Sequence, residues 1–318
     1  MTIHHPNFFM VGVVKGGTTS LHQYLDQHPQ IFMSPVKETN YFSRNDIDPS
    51  KFSKAYTHDV NVDLKKFLAS DMITSIHIAH VTNEADYHQL FKKVTSEIAI
   101  GEASNSYILY PTAPRLIHET YPNAKIIMML RNPVKRAYSQ YVMNLRLGKT
   151  LERDFIKEIE NDDKSVNKGW GANHQYLSIG MYYEQVKRFY DIFPKDQILI
   201  CWYDEYKKDS QKVVRSIYRF LGVDENYQVD TTEKLNTAGV PKFAKLNYFI
   251  NQSGVISWAK RNFPRSWREP FKKLMYSSKE MAIPKMTDAE KEYLINYYKE
   301  DILKLSKLVD KDLSHWLA

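Results

Sequence analysis

The residues best equipped for chemistry are Lys15-Gly16-Gly17-Thr18-Thr19-Ser20. An apolar run, Phe8-Phe9-Met10-Val11-Gly12-Val13-Val14, leads into them, and a segment with helical spacing follows. A buried strand that feeds a glycine-rich turn and a helix N-terminus makes an anion site. Glycine lets the backbone approach closely, the first-turn N–H groups lack intrahelical acceptors, and the helix dipole favours negative charge. Thr18, Thr19 and Ser20 add hydroxyl donors and Lys15 adds a positive charge, so the matching ligand is a phosphate or a chemical relative of one. The nucleotide-kinase pattern G-x-x-x-x-G-K-[ST] is only half present. Gly12 and Gly17 have its spacing, but Thr18 stands where its lysine belongs and the lysine precedes the glycines, at position 15.

A second chemical cluster lies in Lys125-Ile126-Ile127-Met128-Met129-Leu130-Arg131-Asn132-Pro133-Val134-Lys135-Arg136-Ala137-Tyr138-Ser139. An apolar strand ends in Arg131, and Pro133 opens a helix. Ser139 follows two turns in. A guanidinium at a strand end grips phosphate bidentately, and the serine hydroxyl can donate to the same group. A third is Lys37-Glu38, a carboxylate beside a lysine. Read by itself, Glu38 is most simply a solvated glutamate or a salt-bridge partner of Lys37 or another cation.

These groups need a scaffold that brings strand ends together. Apolar runs at 8–14, 98–100, 125–130 and 197–202 read as buried parallel strands. Helical patterns alternate with them at 19–28, 113–120, 133–146, 181–192 and 210–221, the last stopping at Gly222. Such alternation predicts an α/β, P-loop-like three-layer fold: a central, mostly parallel sheet flanked by helices. Ligands of these sheets lie outside the carboxyl ends of the strands, where Lys15 and Arg131 both fall. A final helix over 288–317 carries Tyr293, Leu294, Tyr297, Tyr298, Ile302 and Leu305 as a docking stripe.

The chain has 318 residues, 43% hydrophobic and 25% charged, with a formal net charge of +7 and a pI of about 9.1. These values suit a globular protein with an anionic ligand, and the scattered Lys and Arg argue against a basic nucleic-acid tail. Cys201, the one cysteine, excludes an intrachain disulfide and sits in an apolar run as a structural thiol. His77 and His80 have the spacing of one helix face but no third ligand, so no metal is expected. With no signal-like N-terminus and no apolar run of about 18 residues, the expectation is a cytoplasmic chain without an integral membrane segment. The stretch 241–284 is rich in aromatic and basic residues, among them Trp258, Arg261, Trp267 and Lys273.

The Lys15 loop resembles the 5′-phosphosulfate loop of sulfotransferases that use 3′-phosphoadenosine-5′-phosphosulfate (PAPS), and Arg131 with Ser139 resembles their 3′-phosphate motif. Lys37-Glu38-Thr39-Asn40-Tyr41-Phe42 is similar to the K-E-x-x-[FY]-F element of the bacterial and heparan-sulfate types. Gly101-Glu102-Ala103-Ser104-Asn105-Ser106-Tyr107 is similar to their G-E-x-S-x-x-Y strand end. The resemblance runs from Phe8 to Trp316 and is tightest over the first 150 residues. It implies a single domain over 1–318, with 241–284 as a lid or acceptor-binding subregion. It also implies PAPS as co-substrate and 3′-phosphoadenosine 5′-phosphate (PAP) as product. Lys15, Gly16, Gly17, Thr18, Thr19 and Ser20 would hold the 5′-phosphate, Arg131 and Ser139 the 3′-phosphate, and Lys242 a basic loop over the nucleotide. Lys15 and Glu38 would be catalytic, Glu38 as general base. Two departures matter: Ala103 stands where some heparan-sulfate enzymes carry a lysine, and the histidine base of animal cytosolic enzymes has no counterpart. The acceptor, a small molecule or carbohydrate, and the oligomeric state are left open. The competing readings are a P-loop-type kinase, which lacks the lysine position and a magnesium-binding aspartate, a non-catalytic nucleotide-binding module, and nucleic-acid binding through 258–273, which rests on composition alone.

Overall fold

The computed structural model describes residues 4–231, 244–255, 258 and 285–318. Within them, five strands form one parallel sheet: β1 (Phe8–Met10), β2 (Ile31–Met33), β3 (Ala99–Ala103), β4 (Lys125–Leu130) and β5 (Ile198–Trp202), in the spatial order β2-β3-β1-β4-β5. Strand β1 is central because it is apolar on both faces. Phe8, Phe9 and Met10 are all essentially inaccessible to solvent. Alternate side chains of β1 and β4 feed opposite layers. Phe9, Ile126, Met128 and Leu130 enter one core, while Phe8, Met10, Ile127 and Met129 enter the other. A strand buried on both faces reads as a continuous apolar run, which explains why the sequence marks it so clearly.

Helices close both layers. α1 (Thr18–Asp26) and α6 (Ser210–Leu221) cover the Phe8 face through Leu21, Leu25, Val213, Val214 and Ile217. α3 (Thr112–Thr120), α4 (Pro133–Arg146), α5 (Tyr182–Tyr190) and α7 (Asp288–Leu308) cover the Phe9 face. The one-turn α2 (Ser106–Leu109) follows β3. Local chemistry fixes the boundaries. Asn132 caps α4 by accepting from Lys135 N at 3.1 Å, ahead of Pro133 in its first turn. Gly222 ends α6 in the left-handed region at φ 81°. Thr287 and Glu290 form a reciprocal capping box at the start of α7.

Most of the anticipated elements are present, with corrections. β2 adds a strand to the four expected, because Ile31-Phe32-Met33 is too short to show a period. The expected strand over 8–14 ends as a two-sided strand at Met10, although Val11 N and Val13 N still donate to Ile127 O and Met129 O at 3.0 Å. The final helix stops at Leu308, and a separate 3-10 turn spans Ser314–Trp316. His77 and His80 lie on an extended loop rather than a helix, because Ile76 N donates to Pro35 O and its O accepts from Lys37 N. Cys201 is buried in the core of the Phe8 face, and burial pushes its thiol up to about 12. No helix among the described residues is long and apolar enough to cross a membrane. Lys242 and most of 241–284 lie outside the described residues.

Helix α7 also supplies a cap from a distance. The N-cap of α5, Met181, has no capping side chain. Asp301 of α7 accepts instead from Tyr182 N at 2.8 Å and Tyr183 N at 3.1 Å. Asp301→Ala therefore leaves two helix donors, one buried and one half-buried, without this acceptor and is expected to cost about 1–2 kcal/mol. A fall in the denaturant midpoint at unchanged slope is the readout, and an unchanged midpoint would refute the cap.

Candidate active site at the carboxyl edge of the sheet

The order β2-β3-β1-β4-β5 places a topological switch at β1. The chain leaves β1 towards β2 on one side and leaves β4 towards β5 on the other. The loops after β1 and β4 therefore face each other across a crevice, the usual ligand position in such sheets. Lys15, Gly16 and Gly17 occupy the first loop and Arg131 the second. They touch: the Arg131 Nη1–H donates to Lys15 O at 2.8 Å.

The two glycines have separate physical reasons. A Cβ on Gly16 would lie 2.7 Å from Met129 O and 2.9 Å from Val13 O, so only glycine lets the loop fold against β4. Gly17 has φ 93° and caps α1 without a side-chain hydrogen bond. The first helical bond runs from Leu21 N to Gly17 O at 3.1 Å. The N–H groups of Gly17, Thr18, Thr19 and Ser20 thus precede any intrahelical acceptor and present a positive end. Thr18 is buried, while Thr19 and Ser20 are half-buried.

The cations reinforce this end. Lys15, itself at φ 67°, is lowered to about 8 by burial first and then by the charges of Arg131, Arg146 and Arg136. Its Nζ contacts Met143 Sδ at 3.5 Å. Burial also lowers Arg131, whose guanidinium lies 4.4 Å above the Tyr203 ring and whose buried Nε has no partner among the described residues. Arg136 is wholly buried and donates to Gln140 Oε1 and Tyr176 O. Positive charges crowded this closely, at the cost of lowering Lys15, fit a site completed by an anion. Ser139 is half-buried on α4, in the turn after Arg136.

Glu38 lies beside this crevice, at the end of β3. Glu38 N donates to Ala103 O at 2.7 Å, and Glu38 adopts φ 54°. Its side chain is buried, only 5% exposed, and ion-paired with Lys37, so the salt bridge expected from sequence does form. Two further donors come from one residue: Asn105 N to Oε2 at 2.7 Å and Asn105 Nδ2 to Oε1 at 2.5 Å. Oε1 therefore carries two donors and Oε2 one, which leaves Oε2 with a lone pair to spare.

Nothing local in the sequence marks Asn105, Arg136 or Tyr203 for a role. Asn105 and Arg136 fall inside the motifs quoted above, yet only the tertiary structure shows what they contact. Tyr203 follows β5 directly, and its ring would be met at 3.3 Å by a Cβ on Gly17. Among the described residues, no three His, Cys, Asp or Glu side chains are grouped to hold a metal ion.

Comparisons with known proteins agree with this geometry. The family model of the sulfotransferase domain matches residues 5–290. A sulfotransferase from Alicyclobacillus acidocaldarius superposes with a TM-score of 0.74 at 28% identity, covering 99% of this chain and 100% of that one. Human bifunctional heparan sulfate N-deacetylase/N-sulfotransferase 3 is 24% identical over 98% of this chain and 31% of its own length. Human carbohydrate sulfotransferase 15 is 26% identical over 69% of this chain and 44% of its own. The chain thus spans less than half the length of these two curated relatives. Strand order, loop chemistry and family match converge: this chain belongs to the family of sulfotransferase domains.

Proposed function

We propose that the protein transfers a sulfuryl group from PAPS to a hydroxyl or amine of a small-molecule or carbohydrate acceptor. The observation that carries this reading is the pairing of Lys15 with Arg131 at the N-terminus of α1, where Lys15 is lowered to about 8 among three arginines. Gly16, Gly17, Thr18, Thr19 and Ser20 hold the 5′-phosphate with backbone and hydroxyl donors. Arg131 and Ser139 hold the 3′-phosphate, and Lys242 is proposed to close over the nucleotide.

The reaction is in-line. The S–O bond to the 5′-phosphate breaks, an S–O or S–N bond to the acceptor forms, and the acceptor proton passes to Glu38 Oε2. Lys15 neutralises charge as it develops on the bridging oxygen. Lys37 and Asn105 fix the orientation of the Glu38 carboxylate. As in phosphoryl transfer, positioning and charge stabilisation supply most of the rate. The aromatic and basic stretch 241–284 is proposed as a lid or acceptor-binding subregion of a single domain. The proposed setting is the cytoplasm.

Calorimetric titration with PAP, ATP–Mg²⁺ and adenosine 5′-phosphate tests the reading. PAP is expected to bind in the micromolar range or tighter, and Arg131→Ala to weaken it by at least about tenfold through loss of a bidentate phosphate contact. Preference for ATP–Mg²⁺, or indifference to the 3′-phosphate, would overturn it in favour of a kinase.

A further inference from the structure

Glu102 presents a physical puzzle that the proposed reaction does not use. It is fully buried at the end of β3, and no ion pair reaches it among the described residues. Burying a carboxylate without a cation is costly, so such a residue needs a reason to be there. Four hydroxyls surround it. Tyr107 donates to Oε2 at 2.8 Å, and Tyr87 reaches the same oxygen at 3.4 Å. Thr39 and Ser104 both donate to Oε1, at 2.8 and 2.6 Å. Burial pushes the carboxyl up to about 7 even though Ser104, Tyr107 and Thr39 pull it down.

The two residues on Oε1 are informative. Thr39 follows Glu38 in the chain, and Ser104 precedes Asn105. A single oxygen therefore pins the neighbours of both halves of the Glu38–Asn105 clamp. The same Ser104 hydroxyl accepts from Asn40 N at 3.1 Å, a second tie between the two loops. These ties act on a backbone under tension, since Glu38 and Asn40 are non-glycine residues at φ 54° and φ 56°. They add to the bond from Glu38 N to Ala103 O and to the Lys37 ion pair, and among the described residues they alone join the residue after Glu38 to the residue before Asn105 through one carboxylate oxygen.

We propose that Glu102 is a positioning residue that acts through Thr39 and Ser104 to hold Glu38 on Asn105, and so aims the Oε2 lone pair. The role in turnover rests on Glu38 being the base; the clamp itself does not. The first test is therefore acceptor-free. In protein labelled with ¹⁵N-asparagine, the Asn105 side-chain amide, assigned by its loss in Asn105→Ala, is expected to sit apart from solvent-exposed amides. It should shift in Glu38→Gln and collapse towards the exposed positions in Glu102→Gln. PAP affinity should stay within about twofold of wild type, as for a group that does not touch nucleotide. Thr39→Val and Ser104→Ala remove the same ties singly and serve if Glu102→Gln does not fold.

A second readout is turnover, followed as PAP released from PAPS with a glucosamine oligosaccharide as acceptor probe. Glu102→Gln should fall about tenfold to 100-fold, the size of a small misplacement of a reacting group. Its loss should not add to that of Asn105→Ala, since the two act as one unit. An unmoved Asn105 amide in a folded Glu102→Gln protein overturns the proposal, as does loss of PAP affinity in parallel with the amide shift, which would make Glu102 a general fold element. Full turnover in Glu38→Gln strikes instead at the base assignment and leaves the clamp to be judged by its own resonance.

Discussion

Lys15→Ala is expected to lower turnover at least ~100-fold, the usual loss when a principal group stabilising transition-state charge is removed. The structure adds a pH signature. In the free protein, burial and the arginines lower Lys15 to about 8. A bound phosphate favours the charged form, so the complex keeps the proton that the free protein gives up. Above pH 8, binding must take up a proton, and affinity falls as pH rises. One proton predicts a rise of about tenfold in the Kd of PAP between pH 7 and pH 9, with little change below pH 7. The same titration with Lys15→Ala should lose that slope. A wild-type Kd that is flat from pH 7 to pH 9 would detach Lys15 from the phosphate.

Glu38→Gln should also reduce turnover at least ~100-fold, within the range for loss of a positioned general base. Its effect differs in kind from that of Lys15→Ala. Glutamine keeps the shape and can still accept from Asn105, but it cannot take the acceptor proton. PAP affinity should therefore stay near wild type while turnover collapses, and parallel loss of both would point to a purely structural ion pair with Lys37. Wild-type turnover in the variant would remove Glu38 from the mechanism. Together the two substitutions separate leaving-group stabilisation, which couples to nucleotide binding, from proton removal, which does not.

Much of this molecule is written in local signals. The apolar runs at 125–130 and 197–202, Pro133 behind Arg131 and Gly222 behind a helical stripe locate β4, β5, α4 and α6 almost to the residue. These features depend on burial and backbone conformation that short-range sequence encodes directly. The Lys15 loop and Arg131 are legible for the same reason, since each is a side chain placed at the end of a strand that the sequence announces. Strand β2 and the loop that holds His77 and His80 are not legible. Three residues carry too little period to identify a strand, and the loop takes its shape from pairing with Pro35 and Lys37 about 40 positions earlier.

Residue types and their local order supply the chemistry at two strand ends: a lysine among glycines and hydroxyls, and an arginine before a proline-started helix. Their meeting in one crevice comes from the order of the strands. The order β2-β3-β1-β4-β5 sets Lys15 against Arg131, 116 residues apart in sequence. It likewise brings Asn105 onto Glu38 across 67 residues and Glu102 onto Thr39 across 63. Spacing along the chain is silent about such contacts, because parallel strands gather their carboxyl ends on one edge through crossovers whose length carries no record of which ends will meet.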